Sequence, residues 1–449
     1  AEELAGRVGS ELNIPVYLYA KSARREDRVR LPDIRHGEYE ALEDKLLAGD
    51  FKPDYGPAVF NATSGATAIG VRDFLLAYNV NLSTWDKKTA SDIALTVRDK
   101  GRAKRDRKGA IARDEDGAAV TVPGRLSHCQ AGGWFIDEYG YAQVTMNLTN
   151  FRETGLHRAF EVVSEEAAKR GVRVTGSEAI GLLPRDALLD AGRYYLEKKG
   201  SNTGIPEKDI IQAAVLGLGL NDTSPFIPGE RVIEYAVEGR STGPAALTLS
   251  GFSDELSSDS MAPGGGSVSA LSAALSASLT SMVANLTFGK KGYERQNKPM
   301  KEISIRAQEL KARLLCLVDS DSDAFNEYIR ALRLPKQSEA GIKDRAQAVE
   351  SAAITMTTTP LETLRLCREL ITLAEKVLRK GNSNALSDAF VAVSQANAAA
   401  EGAFLNVRIN LPEVNDQVFV TSTSEEAEML MNDISKIHKR LFASVRKKI

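Results

Sequence analysis

Apolar and polar residues are distributed in two different ways along the chain. Up to about residue 237, short runs rich in β-branched and aromatic side chains are interleaved with stretches whose apolar positions recur every three or four residues. Residues 14–19 (IPVYLY) and 74–82 (FLLAYNVNL) read as strands, and 133–137 with 141–148 read as a hairpin turning at Asp137-Glu138-Tyr139-Gly140. Helices fit 91–100, 157–170, 184–198 and 207–218. That order predicts an α+β fold of the split βαβ, ferredoxin-like kind. Residues 238–248, with Gly239, Gly243 and Pro244, read as a linker. Beyond it the period is helical almost throughout, clearest over 300–332 and 361–379, with one short strand at 407–411. An all-α helical bundle is expected there.

Composition narrows this picture. The 449 residues suffice for two or three domains, and 43% apolar with 26% charged side chains is ordinary for a globular protein. Fifty-eight basic residues against sixty acidic ones leave a net charge of −2, which argues against a dedicated nucleic-acid binder. Three scattered cysteines (Cys129, Cys316, Cys367) and four histidines (His36, His128, His157, His438) build neither a disulfide framework nor a zinc centre. No metal is expected, and a reducing, cytoplasmic setting is the default. The N-terminus has no basic or apolar signal region and reads as the second half of an amphipathic helix running into a strand. Residues 260–289 carry no charge, yet hydroxyls alternate there with Ala and Leu, so no membrane span is expected. Such a helix suits close packing, between helices or between protomers, and a homo-oligomer is expected.

Candidate chemistry concentrates in a few segments. In LCLVDSDSDAFNEY, Asp319, Asp321 and Asp323 lack the Gly and the closing Glu of a calcium loop. With 3.6 residues per turn, Asp321 falls on the apolar stripe of Ile303, Leu310, Leu314, Leu317, Phe325, Tyr328 and Leu332, whereas Asp319 and Asp323 point toward water. An inward carboxyl with a raised pKa is suited to general acid catalysis; a core aspartate paired with Lys or capping a helix fits the pattern equally. Ala262-Pro263-Gly264-Gly265-Gly266-Ser267-Val268 opens a helix whose free N–H groups could hold an anionic or carbonyl-bearing ligand, though no Lys-Ser/Thr follows to make a nucleotide P-loop. The loop 56–65, with Gly56, Pro57, Phe60, Asn61, Ser64 and Gly65, could receive a flat heterocycle or merely connect two elements. Asp388, near Gly381-Asn382-Ser383, is a ligand contact or a helix N-terminal charge. The basic cluster Arg102, Lys104, Arg105, Arg107 and Lys108, followed by Asp114-Glu115-Asp116, could capture an anion or be a solvated insertion. His128 and Cys129 have no acidic orienter and read as structural, while His36 and His438 read as exposed.

Taken together, IPVYLY, GEYEAL (37–42), PDYGP (53–57), GATAIG (65–70), GLLPRDALLDA (181–191), APGGGSV (262–268), LVDSDSDAF (317–325), RLPK (333–336) and the NV-x-INL segment (406–411) resemble the bifunctional formiminotransferase–cyclodeaminases of histidine degradation and folate metabolism. The resemblance implies a partial transferase N-terminal subdomain over 1–74, a transferase C-terminal subdomain over 75–237 and a cyclodeaminase bundle over 249–449. It implies formiminoglutamate and folate polyglutamate as small-molecule partners, with tetrahydrofolate as the one-carbon carrier. The family's cyclodeaminase proton donor, the second Asp of V-D-x-D, falls on Asp321, and its folate-binding loop falls on 56–65. Gly264, Gly265, Gly266 and Ser267 would orient the pterin or aminobenzoyl part, and Lys336 would meet a glutamate carboxylate. No histidine here has the His-Pro-Arg context of the family's transferase. The resemblance therefore implies a start partway through that half and no competent formimino transfer by this chain alone. The bundle also looks like that of methenyltetrahydrofolate cyclohydrolases, and a non-catalytic folate-binding or scaffold role is the further alternative.

Overall fold

The computed structural model of the chain describes residues 1–49, 51–106, 109–115, 117, 119–238 and 243–447. Arg107 and Lys108 of the basic cluster, Asp116 beyond it and Gly239 of the expected linker lie outside the described residues. Backbone contacts divide the chain into two compact units, Ala1–Gly181 and Leu182–Ile449.

In the first unit, helix α1 (Glu2–Glu11) packs on β1 (Val16–Ala20), which pairs in parallel with β2 (Thr67–Val71). The segment 51–55 is fastened beside this pair by a buried cation. Arg28, 2% exposed, lies over the Tyr17 and Phe51 rings and donates to Asp54 Oδ2 at 2.9 Å and to the Lys52 carbonyl at 2.6 Å. Asp54 also accepts the Leu18 N–H, so this buried charge is both paired and hydrogen-bonded, as burial of an ion requires.

A four-stranded antiparallel sheet follows, built from β3 (Leu76–Leu82), β6 (Cys129–Ile136), β7 (Tyr141–Leu148) and β8 (Val174–Ile180) in the order β6-β7-β3-β8. With α2 (Lys87–Val97) after β3 and α3 (Leu156–Ala168) after β7, this is the expected ferredoxin-like arrangement. The period-2 pattern of β3 explains which face the helices cover. Leu76, Tyr78, Val80 and Leu82 are buried beneath them, while Ala77, Asn79 and Asn81 look the other way. Helix α2 starts four residues before its expected position because Asp86 caps it, accepting the N–H groups of Lys88 and Thr89 at 2.9 and 3.1 Å. The segment that carries the basic cluster holds a two-residue ladder, β4 (Arg102–Ala103) with β5 (Thr121–Val122).

Helix α3 carries a charge cluster that makes this unit acid-sensitive. Burial alone would push the Glu166 carboxyl up, but hydrogen bonds from Lys169, Arg170 and Arg125 outweigh it and hold it at about 2. A depressed carboxyl stabilises the fold above its unfolded pKa, and the benefit is lost as pH falls through the folded value. The stability of this unit is therefore expected to decline from about pH 4.5 and to lose this contribution near pH 2, with Glu166→Gln flattening the decline in chemical denaturation series.

The second unit opens with α4 (Arg185–Lys198) and α5 (Glu207–Leu218), which pack as a pair. Five long helices follow: α6 (Gly265–Thr287), α7 (Asn297–Leu332), α8 (Glu339–Lys380), α9 (Leu386–Asn410) and α10 (Gln417–Val445). Contacts such as Gln308 with Ser281, Arg313 with Glu362, Asn410 with Met356 and Arg408 with Glu428 show that each runs antiparallel to the one before it. The loop between α4 and α5 docks on the bundle through Asn202, whose Nδ2 donates to Ser304 Oγ at 2.8 Å and to Asn285 Oδ1 at 2.7 Å.

Helix α6 is long and apolar enough to cross a membrane by length and composition, yet most of it is buried within the unit. Small residues permit this. Ala270, Ala273, Ala274 and Ala277 are buried in the bundle core, and against the alanine-rich α9 a side chain on Gly402 would strike Ser269 Oγ while Ser276 Oγ donates to the Ala392 carbonyl at 2.6 Å. Two expectations are corrected here. Residues 407–411 are not a strand: α9 continues to Asn410 with Val407 fully buried, because its alanine face demands a helical period that outweighs the β propensity of Val407 and Ile409. His438 is half-buried rather than exposed, stacked with Phe390 and Phe442.

Candidate functional site

The aspartate segment lies within α7 and the glycine segment opens α6, and their antiparallel packing brings the two together. Asp321 sits against the first turn of α6. A Cβ placed on Gly266 would lie 2.1 Å from Asp321 Oδ1 and 2.6 Å from its Cγ, so only glycine leaves the carboxyl its place. Ser267 Oγ lies 2.9 Å from Asp321 Oδ2, 3.1 Å from the Val318 carbonyl and 3.2 Å from Ser322 Oγ. Burial pushes the Asp321 carboxyl above the ordinary aspartate range, and hydrogen bonds from the Ser267 hydroxyl and N–H oppose that rise without cancelling it. Gly264 has open space where a side chain would stand and Gly265 is exposed, so the start of α6 is accessible beside the acid. The Asn406 side chain of α9 lies over this turn, its Nδ2 3.5 Å from the position of a Gly265 Cβ and donating to the Gly402 carbonyl. Asn406 belonged to a stretch that carried the family resemblance, but no spacing rule pointed to it as a wall of this site.

The remaining aspartates divide. Asp323 is exposed. Asp319 does not point to water, contrary to its helical phase: it is half-buried and accepts the Ala245 N–H at 2.8 Å, because the chain at Gly243–Ala246 folds back onto α7. Lys336 is exposed in the turn after α7, beyond Leu332, which is already roughly 16 Å of helical rise from Asp321. Asp388 lies in the first turn of α9, level with the other end of α6 and roughly 25 Å of rise from Asp321. It shares no site with that acid. Asn382 and Ser383 are engaged there in closing the bundle end with Thr287 and Tyr293.

In the first unit, loop 56–65 is largely occupied with holding itself. Gly56 approaches the Ile14 carbonyl too closely for any side chain and has φ 79°. Asn61 Oδ1 accepts the N–H groups of Thr63 and Ser64, an Asx turn, and the Gly65 N–H donates to the Asn61 carbonyl. Phe60 packs on Tyr39; Pro57 is half-buried, while Ser64 is exposed. A shallow recess lies instead on the open face of the ferredoxin-like sheet, lined by Asn79, Gln130, Trp134, Thr145 and Asn147. Its signal in the sequence was the polar phase of FLLAYNVNL: Asn79 lines the recess, while Asn81 is fully buried and accepts from Gln143 Nε2. Cys129 is buried, which pushes its thiol up to about 12 and leaves it unreactive. Among the described residues, no three His, Cys, Asp or Glu side chains converge as a metal site.

Comparison with known proteins follows the same order along the chain. A family model described as the formiminotransferase domain, N-terminal subdomain, matches residues 1–72, the formiminotransferase domain matches 77–238, and formiminotransferase-cyclodeaminase matches 248–429. The formimidoyltransferase-cyclodeaminase of Mus musculus is 37% identical over 435 residues, covering 96% of this chain and 77% of that protein. The one of Dictyostelium discoideum is 38% identical over 445 residues, covering 98% of this chain and 79% of that protein. A methenyltetrahydrofolate cyclohydrolase of Methylorubrum extorquens is 37% identical over 202 residues, 45% of this chain and 97% of its own. With transferase matches over 1–72 and 77–238, a cyclodeaminase match over the bundle that seats an acid on a glycine-led helix, and relatives at 37–38% identity along 77–79% of their length, the chain belongs to the formimidoyltransferase-cyclodeaminase family.

Proposed function

We propose that the helical unit is a folate-dependent one-carbon enzyme that closes 5-formiminotetrahydrofolate to 5,10-methenyltetrahydrofolate and releases ammonia. The observation that carries this reading is the Asp321 carboxyl, kept protonatable by burial at an accessible helix start. Folate N10 attacks the formimino carbon, a C–N10 bond forms, and the C=N pair moves to the imino nitrogen as the N10 proton is lost and that nitrogen gains one. Asp321 then donates its proton to the amino group. The C–N bond breaks with its electron pair leaving on ammonia, and the N5 lone pair completes the methenyl cation. One proton is consumed per neutral ammonia released. The accessible turn at Gly264 and Gly265 would orient the ring system, Gly266 and Ser267 would hold Asp321 beside it, and Lys336, in the turn after α7, would meet the glutamate tail.

In the first unit, the recess around Asn79 and Trp134, together with loop 56–65, would serve the formiminoglutamate and folate chemistry of the transferase half. A second reading of the bundle is supported by its likeness to the Methylorubrum cyclohydrolase: the same acid would act while water adds to the methenyl carbon, the C–N5 bond breaks with N5 taking a proton, the formyl group stays on N10 and one proton is released. Supplying 5-formimino- and 5,10-methenyltetrahydrofolate in parallel separates the two. Ammonia release at rates well above the uncatalysed reaction supports the cyclodeaminase; hydrolysis of the methenyl compound without ammonia release from the formimino compound replaces it with the cyclohydrolase.

A further inference from the structure

We infer that Ser267 is a positioning residue whose hydroxyl turns between two acceptors as Asp321 gains and loses its proton. The inference rests on the cyclodeaminase reading for its kinetic arm only. A serine hydroxyl has one hydrogen, yet Ser267 Oγ lies within hydrogen-bonding distance of both Asp321 Oδ2, at 2.9 Å, and the Val318 carbonyl, at 3.1 Å. Two acceptors cannot share that hydrogen at full strength. When Asp321 is ionised, the hydroxyl points at the carboxylate. When Asp321 is protonated, the acid's own O–H donates to Ser267 Oγ, and the serine hydrogen swings to the Val318 carbonyl, one helical turn before the acid. Asp321 Oδ2 and Ser267 Oγ then each keep a hydrogen-bond partner in both states, without movement of a heavy atom.

That matters because Ser267 is fully buried and no water is needed to compensate either state. Ser322 Oγ, 3.2 Å from Ser267 Oγ and itself buried, is a third neighbour that either donates to the Ser267 oxygen or accepts from it. The surrounding charges do not substitute for it. Helix α6 carries no ionisable side chain between Gly265 and Thr287. On α7, Asp319 is bound to the Ala245 N–H and Asp323 is exposed. On α8, Glu350 is held by the N–H groups of Asn415 and Asp416, and on α9 Arg408 pairs with Glu428.

Ser267→Ala removes the donor to the carboxylate and the acceptor for the acid, while Ser267→Thr keeps both. The Ala variant should lower kcat about tenfold, in line with loss of one hydrogen bond to a charged group, and should shift the alkaline limb of its pH profile upward, because the ionised form loses its support. The Thr variant should restore the wild-type limb. Infrared difference spectroscopy of the full chain, across an acid-to-neutral pH step, reads the same event without turnover: the protonated-carboxyl stretch assigned by its loss in Asp321→Asn should move in Ser267→Ala and return in Ser267→Thr. An unmoved band with an unmoved pH limb overturns the inference, as does an Ala variant that changes KM alone. If the wild-type chain releases no ammonia, the cyclodeaminase reading fails, and the infrared band still decides for or against the serine.

Discussion

Replacing Asp321 with Asn is expected to reduce ammonia release from 5-formiminotetrahydrofolate by about 10²–10⁴-fold, the contribution typical of a general acid, while folate binding measured by titration stays near the wild-type value. Asn keeps the shape and can still accept the Ser267 hydroxyl, so the ground-state complex is preserved and only the dissociable proton is lost. The same substitution should not weaken the fold. Burial raises the Asp321 carboxyl, so ionising it costs folding free energy. Its contribution is most favourable below the pKa of an unfolded aspartate, about 3.9, and declines as pH rises through the folded value. The neutral Asn pays no such cost at any pH. The variant should therefore match the wild type in acid and equal or exceed its stability at neutral pH. An inactive protein that melts at or above the wild-type temperature would mark Asp321 as an acid retained for chemistry. Wild-type turnover in the variant would remove it from the mechanism, and a variant unfolded at neutral pH would show the carboxyl to be structural.

Gly266→Ala carries the second large effect, from the other side of the same contact. The added Cβ would stand 2.1 Å from Asp321 Oδ1, far inside van der Waals contact. Asp321 is short and is held by the Ser267 hydroxyl and N–H, so it can yield only by leaving those bonds. Displacement of a catalytic group by about 1 Å can cost roughly 10²-fold, and a loss of that order in kcat is expected. Global stability should change much less. Two weakened hydrogen bonds cost about 1–3 kcal/mol together, and replacing glycine in a helix returns up to about 1 kcal/mol. Thermal unfolding combined with steady-state kinetics checks this pairing. The stability penalty of Gly266→Ala should also disappear in an Asp321→Ala background, where the new methyl group has no carboxyl to strike. If the penalty persists there, the strain lies elsewhere along the α6–α7 contact.

How far the site was legible in the sequence varied residue by residue. Asp321 could be found because a helix imposes a fixed angle per residue, and a run of leucines on one side marks the buried direction. The same rule misplaced Asp319, because helical phase says nothing about another segment returning over the supposedly wet face, as the chain at Gly243–Ala246 does. Gly264 to Gly266 stood out as a possible helix start. That Gly266 is needed for one particular carboxyl was not legible, since the partner lies 55 residues away along the chain. Asn61 had the polarity of a ligand contact but spends its side chain on a local turn.

By itself, the order of residues determined the two textures of the chain, the ferredoxin-like strand and helix succession, the helical bundle after it, and the inward direction of Asp321. These are consequences of local geometry, the period of two in a strand and of 3.6 in a helix, which act between neighbours along the backbone. Only the tertiary structure decided that α6 and α7 cross with Gly266 against Asp321, that Ser267 faces two acceptors at once, that Asp388 belongs to the opposite end of the bundle, and that 407–411 completes a helix. Those outcomes depend on close packing between segments distant in sequence, where a single missing methyl group or a single shared hydrogen settles which groups can meet.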